Sequence, residues 1–247
     1  MPKLSIVIPA YNEENRLPET IKNYTQFFDK VLPNNYEIII VPNNCKDHTL
    51  EVTKKLAKEN KNILYTDNFV NTYIGKGGAI IEGFKIAEGD FIGFVDADKS
   101  TAPEDYYDLL ANIGNKDGII ASRWLPNSDI KIKQTLIRRI ASRAFNLLIN
   151  TLFQLNIKDT QCGAKIFRKK TIKSIIPDII TKQWAFDTDL LYNMKRKGFK
   201  IIEIPTKWDD AEGSQLNVKK ASQQVLKSII KLRLHHSPLR NIIWKKK

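Results

Sequence analysis

The chain is poor in cysteine, in long apolar runs and, over its second half, in acidic residues. Its two cysteines, Cys45 and Cys162, stand far apart with no metal-ligand spacing. That argues against a zinc-built or disulfide-built fold and makes a reducing compartment the simpler expectation, with a single disulfide left open. No stretch approaches the roughly 18 uninterrupted apolar residues of a membrane-crossing helix. The opening run Leu4–Ala10 is too short for the apolar core of a secretion signal and passes straight into Tyr11-Asn12-Glu13-Glu14. If such a chain meets a membrane, it is expected to lie on it. Acids are absent between Asp129 and Asp159 and again after Glu212.

The missing acids leave 40 Lys and Arg against 27 Asp and Glu, a formal charge of +13. Such an excess points to an anionic partner: nucleic acid, an acidic membrane or a phosphorylated substrate. The plainer reading is a solvated lysine-rich surface. Nucleic acid is not expected as a partner. The chain lacks zinc-finger spacing, an aromatic RNA-binding signature and a clear helix-turn-helix.

What is present is an α/β pattern. The 247 residues are 42% apolar, enough for one large domain with a real core. Short apolar runs at Leu4–Pro9, Tyr36–Val41, Asn62–Thr66, Asp90–Val95 and Asp117–Ser122 read as strands. Helical patterns fall between them at Leu17–Phe28, Thr49–Glu59, Gly75–Ala87 and Pro103–Asn112. This alternation predicts a mostly parallel central sheet with helices on both faces. Ligands of such sheets bind beyond the carboxyl ends of the strands, where Pro9–Glu13, Pro42–Asp47 and Asp96–Asp98 fall. A long helix is expected over residues 135–155, with Ile137, Ala141, Ala144, Phe145, Leu148, Leu152 and Leu155 on one face and Arg139, Ser142, Arg143, Asn146 and Asn150 opposite. Residues 1–216 read as one catalytic domain and 217–247 as a basic amphipathic helix and tail.

Several segments could carry chemistry. Asp96-Ala97-Asp98 follows a strand and offers two hard oxygen ligands, suited to Mg²⁺ or Mn²⁺ shared with substrate phosphates; the alternative is a strand-ending turn with two solvated aspartates. Gly75-Lys76-Gly77-Gly78 opens a helix, where glycines and free N–H groups could approach a phosphate or sugar, or simply form a loop and helix start. Arg123, Arg138 and Arg139 are candidate phosphate ligands, each otherwise a surface charge. Asp187, in Trp184-Ala185-Phe186-Asp187-Thr188-Asp189, could cap a helix or lie over an acceptor as base or orienting group.

Taken in order, these segments resemble family 2 glycosyltransferases. They are most like the branch that makes dolichyl- or polyprenyl-phosphate sugars, the dolichyl-phosphate β-glucosyltransferases. The resemblance rests on Ser5–Glu14, Gly75–Gly78, Val95–Asp98, Asp159-Thr160-Gln161-Cys162-Gly163-Ala164-Lys165, Trp184–Asp187 and Gly213-Ser214 after Trp208, and covers roughly Leu4 to Leu216. It implies a GT-A fold and an inverting transfer of a hexose, glucose from UDP-glucose first, to a polyprenyl or dolichyl phosphate. The setting it implies is the cytoplasmic face of a membrane, with the chain bound peripherally. By the same resemblance, Pro9, Ala10, Tyr11, Glu13 and Asn43 lie against the nucleotide and Lys76 near the nucleotide sugar. Asp96 and Asp98, with Ala97 between them, hold metal and diphosphate. Arg123, Arg138, Arg139 and Ser142 receive the lipid phosphate, and Gln161, Gly163 and Asp187 shape the sugar and acceptor pocket. Asp96, Asp98, Asp187 and Arg123 are the expected catalytic residues.

One departure stands out. The family pattern Asp-Asp-Gly-Ser after the second strand is replaced by Pro42-Asn43-Asn44-Cys45. An amide both donates and accepts, so the identity of the nucleotide stays open. GDP-mannose as donor, a sugar hydroxyl as acceptor with Asp187 or Asp189 as base, and a non-catalytic nucleotide-binding member are the competing expectations.

Overall fold

In the computed structural model, residues 3–69, 71–130, 136–183, 185–208 and 218–237 are described. Strands β1 (Leu4–Ala10) and β2 (Tyr36–Pro42) are almost wholly buried, as both faces of the sheet are covered. The two-residue alternation of a strand sends Leu4, Ile6, Ile8, Ile38 and Ile40 to one side and Val7, Ile39 and Val41 to the other. The first side is covered by α1 (Leu17–Val31) and α4 (Pro103–Asn112). Leu17, Ile21, Tyr24 and Phe28 of α1 recur at helical spacing and are all buried, each worth roughly 1.5–3 kcal/mol. The second side takes α3 (Gly75–Ile86), α6 (Lys169–Ile175) and α7 (Phe186–Arg196). Helix α2 (Thr49–Glu59) packs beside α1.

The remaining strands are β3 (Ile63–Tyr65), β4 (Phe91–Phe94), β5 (Gly118–Ser122), β6 (Asp129–Ile130), β7 (Lys165–Arg168), β8 (Ile201–Pro205) and β9 (Lys207–Trp208). Seven form one sheet in the order β3-β2-β1-β4-β7-β5-β8, and β6 pairs with β9 in a separate ribbon. Every pairing is parallel except those of β7, which runs antiparallel to both β4 and β5. The predicted mostly parallel sheet is therefore present; β7 and β8, short and set among polar residues, are additions to it. Register aligns Ala10 with Pro42, and Val95 N–H donates to Val7 O. The loops after β1, β2 and β4 consequently leave the sheet at the same edge.

The long helix forms as α5 (Leu136–Phe153), but its faces differ from those expected. Asn146 and Asn150 turn inward. Asn146 donates to the carbonyls of Ile157 and Lys158 and accepts from the Thr160 backbone and hydroxyl; Asn150 bonds both backbone groups of Ile157. These amides satisfy an irregular loop whose backbone groups would otherwise be orphaned. Ile149 and Phe153 are buried, while Ile140 and Leu147 point outward, 60% and 68% exposed, with Ala144 also exposed between them. The helix is thus apolar on two sides. In α8 (Val218–His235), within the segment read as a basic tail, Ile229 and Leu232 are buried in the main core and the helix touches α5. Among the described residues no helix is long and apolar enough to cross a membrane.

Candidate active site

Three loops build the site at the shared carboxyl edge of β1, β2 and β4. The first two are tied together by main-chain donors: Glu13 N–H to Thr49 Oγ1, Glu14 N–H to Asp47, His48 N–H to Glu14, and Lys46 N–H to Asn12. Asn12 and Asn44 both adopt left-handed backbone, which asparagine tolerates better than most residues. Pro9 is half-buried and Ala10 buried at the end of β1, whereas Tyr11 is exposed, its ring edge-on to Tyr73. Asn43 is buried and links two loops: its N–H donates to Ala10 O and its carboxamide oxygen accepts from Ile74 N–H at 2.9 Å.

Beyond β4, Asp96 and Asp98 are half-buried around the buried Ala97. The Ala97 carbonyl accepts from Thr20 Oγ1, and Asp98 Oδ1 accepts from Ser100 N–H through a turn whose Lys99 has positive φ. The Lys76 ammonium sits 2.5 Å from Asp96 Oδ1. Burial works to lower the pKa of Lys76, but the charges of Asp96, Asp187 and Asp98 outweigh it and raise the value. Glu13, in a bidentate pair with Arg16, has its pKa raised, by burial first and then, against the pull of Arg16, by the charges of Asp98 and Asp96. The charges of Asp96 and Asp98 contribute to both shifts.

The glycines around Lys76 serve packing. Gly75 has φ +73, and a Cβ on Gly77 would strike the Phe186 ring. Gly78 N–H donates to Lys182 O. Their small size lets α7 close against the start of α3, and Lys76 alone carries charge into the site. Gly163 has a similar role: an added Cβ would stand 2.6 Å from Asp96 Cγ and nearer still to Oδ2. The loop before β7 therefore lies directly on the Asp96 carboxylate. Beside it, Gln161 is half-buried, and its buried side-chain nitrogen has no partner among the described residues.

Arg123, at the end of β5, is held in place by Asp159. Its Nε and Nη2 donate to the two carboxylate oxygens at 2.8 and 2.9 Å, its backbone N–H also donates to Asp159, and its guanidinium lies 4.9 Å from the centre of the Trp208 ring. Burial would lower its pKa; the charge and hydrogen bonds of Asp159 raise it. The charge of Asp96 also reaches Arg123. Arg123, Arg139, Ser128, Asp129 and Trp208 line a cavity of about 280 Å³. Arg139 is exposed on α5 and Ser142 half-buried one turn on. The side chain of Arg138, Trp184 and the Gly213-Ser214 pair lie outside the described residues.

The two aspartates of α7 differ from a free base. Asp187 pairs at 2.5 Å with Lys165, a fully buried lysine that also donates to Cys162 O at 2.6 Å. Asp189 is entirely buried; it accepts from Ile180 N–H, Thr181 N–H, Thr181 Oγ1 and Asn193 Nδ2. Its expectation as an alternative base is corrected: four internal donors occupy it and no solvent reaches it. Sequence reasoning gave no role to Lys165 or Asp159. A lysine within the buried strand Ala164-Lys165-Ile166-Phe167 was the available signal, since lysine is almost never fully buried without a partner.

The arrangement can take a divalent cation. Among the described residues no cluster of three or more His, Cys, Asp or Glu forms a ready cage. The donors are the carboxylates of Asp96 and Asp98, and Asp96 already draws an ammonium ion to 2.5 Å. Two hard carboxylates are donors of the kind that suits Mg²⁺ or Mn²⁺.

Comparison with known proteins bears on the family and the fold. Residues 5–176 match the model of the family described as glycosyl transferase family 2. The chain is 34% identical to a dolichyl-phosphate beta-glucosyltransferase of Dictyostelium discoideum, over 94% of this chain and 74% of that protein. It is 30% identical to the enzyme of the same name from Saccharomyces cerevisiae, over 94% and 74%. Among solved structures it resembles glucosyl-3-phosphoglycerate synthase from Mycobacterium tuberculosis in complex with Mn²⁺, UDP and phosphoglyceric acid. That likeness has a TM-score of 0.70 at 18% identity and covers 94% of this chain and 78% of that one. It speaks for the fold, which is GT-A.

Proposed function

The chain belongs to glycosyl transferase family 2, and from that premise we propose that it moves glucose from UDP-glucose onto a polyprenyl or dolichyl phosphate at a membrane surface, with inversion. The observation that carries this reading is the adjacency of two opposite sites. A pair of carboxylates, Asp96 and Asp98, stands one loop away from an arginine-walled cavity around Arg123 and Arg139: the segment 159–163 holds Arg123 at one end and lies on the Asp96 carboxylate at the other. A transfer between two phosphorylated molecules needs both. The similarity to proteins named dolichyl-phosphate beta-glucosyltransferase supports the choice of donor sugar and acceptor.

In this reading an oxygen of the acceptor phosphate attacks the anomeric carbon of glucose, and the bond from that carbon to the UDP oxygen breaks with its electrons leaving on UDP. A phosphate monoester has its second pKa near about 6 and is largely ionised at neutral pH, so no strong base is required. That agrees with Asp187 tied to Lys165 and Asp189 enclosed; both facts weigh against a sugar hydroxyl as acceptor. Asp96 and Asp98 would hold Mg²⁺ or Mn²⁺, which supplies charge for the diphosphate leaving group. Lys76 adds a positive charge beside them. Arg123, fixed in plane by Asp159, presents its remaining edge to the acceptor phosphate, with Arg139 at the rim.

The membrane reading is supported by the outward ridge Ile140, Ala144 and Leu147 on α5, flanked by exposed Arg139 and Arg143. The touching helix α8 exposes Leu226 and Ile230 beside Lys227 and Lys231. Apolar side chains bordered by cations suit an interfacial helix on anionic lipid. The cysteines Cys45 and Cys162 are both free thiols, which suits a reducing compartment and the cytoplasmic face of that membrane.

The test is turnover of UDP-glucose and GDP-mannose with Mg²⁺ or Mn²⁺ and a short polyprenyl phosphate. A glucolipid that disappears with EDTA is expected. Product from GDP-mannose alone would overturn the glucosyl assignment, and no lipid product from either donor would overturn the acceptor.

A further inference from the structure

Trp208 ends β9, its position set by pairing with Ile130 of β6. It is 6% exposed, and its indole N–H is buried with no hydrogen-bond partner among the described residues. A buried donor left unpaired is costly and calls for an explanation. The same residue lines the cavity shared with Arg123 and Arg139. Its ring face carries the Arg123 guanidinium at 4.9 Å, while Asp159 grips the guanidinium edge. Ring, arginine and aspartate thus form one rigid stack, and Ser128, also in the wall, directs its hydroxyl to Ser122 O. Trp208, with its buried donor lacking an acceptor, thus stands in the cavity wall beside the half-buried Arg123 cation. Asp129, the acid in that wall, is exposed.

We propose that Trp208 belongs to the acceptor site, its indole N–H donating to an oxygen of the acceptor's phosphate beside Arg123. The nature of the acceptor rests on the function proposed above; the donor, the stack and the cavity do not. Trp208 adds a directional hydrogen bond where the arginines add charge. It therefore favours a phosphate oxygen over an alcohol of the same chain length.

The test uses the full chain labelled with ¹⁵N at tryptophan, of which there are four. Trp208→Phe keeps an aromatic ring under Arg123, removes the N–H along with part of the ring bulk, and identifies the Trp208 indole signal by its loss. Farnesyl phosphate should move that signal downfield and saturate it, whereas farnesol and UDP-glucose alone should leave it in place. In turnover, Trp208→Phe should raise KM for farnesyl phosphate about tenfold or more, the loss expected for a hydrogen bond to a charged group. The KM for UDP-glucose and kcat should stay within about twofold. A signal unmoved by saturating farnesyl phosphate, moved equally by farnesol, or moved by UDP-glucose alone would overturn the proposal. So would an unchanged acceptor KM in the variant. Wild-type protein that neither binds nor glucosylates farnesyl phosphate would instead overturn the acceptor assignment, and this proposal with it. Turnover by wild type with a silent Trp208 signal would sink this proposal alone.

Discussion

Gly163→Ala is the sharpest probe of the site, as it adds one carbon at a defined place. The new Cβ would stand 2.6 Å from Asp96 Cγ and nearer still to Oδ2, where an ordinary contact begins near 3.4 Å, so more than about 1 Å must be found. The loop has little room to retreat, since Arg123 and Glu203 hold Asp159 on one side and Lys165 holds Cys162 O on the other. The carboxylate must move, and it is held 2.5 Å from Lys76. A displacement near 1 Å in a positioned group can cost about 100-fold in rate, and overpacking of this kind destabilises by about 1–3 kcal/mol. We expect kcat to fall about 100-fold at saturating donor and acceptor, and the unfolding midpoint to drop by only a few degrees. Calorimetric titration of Mn²⁺ in the presence of UDP should show weakened metal binding. A variant with kcat within twofold of wild type would refute the claim that Gly163 sets the position of Asp96.

The thiols give a prediction in pH. Burial first, and then the charge of Asp159, pushes the Cys162 thiol up to about 12, so native protein at pH 8 should react with a thiol reagent at the half-buried Cys45 alone; two rapid equivalents would contradict this. Because the folded state keeps the Cys162 proton above the pH at which the unfolded chain releases it, this contribution to stability is complete below about 9. It is lost as pH climbs toward 12, and Cys162→Ala should flatten that part of the curve. Lys165→Met leaves Asp187 buried without its cation and should cost about 3–5 kcal/mol in denaturant unfolding; a loss under about 1 kcal/mol would mean that Lys165 does not compensate the Asp187 charge. Ile140→Asp with Leu147→Asp, both outward on α5, should leave stability nearly unchanged but abolish sedimentation with vesicles containing anionic phospholipid. Undiminished vesicle binding would remove α5 from the membrane reading.

Much of this molecule is legible in its residue order because the relevant signals are local. The nearly unbroken apolar runs in Leu4–Ala10 and Tyr36–Pro42 mark strands buried on both faces, and the helical recurrence in Leu17–Phe28 states which side of that helix must be buried. Alternation of strand and helix then sends the loops carrying Glu13, Asn43 and Asp96 to one edge of the sheet. What residue order by itself did not determine is the identity of partners separated along the chain. Arg123 meets Asp159 from 36 positions away, and Lys165 meets Asp187 from 22. Either ion pair exists only after β7 has inserted antiparallel between β4 and β5. Helix α5 makes the same point. Periodicity set Asn146 and Asn150 on the polar face, opposite the apolar one, but an irregular loop from Ile157 to Thr160 needed hydrogen bonds and took them inward. The local pattern specifies that a polar group must be satisfied. Only the packed chain specifies by which neighbour, because hydrogen bonds and ion pairs are short-ranged and close packing decides what comes within reach.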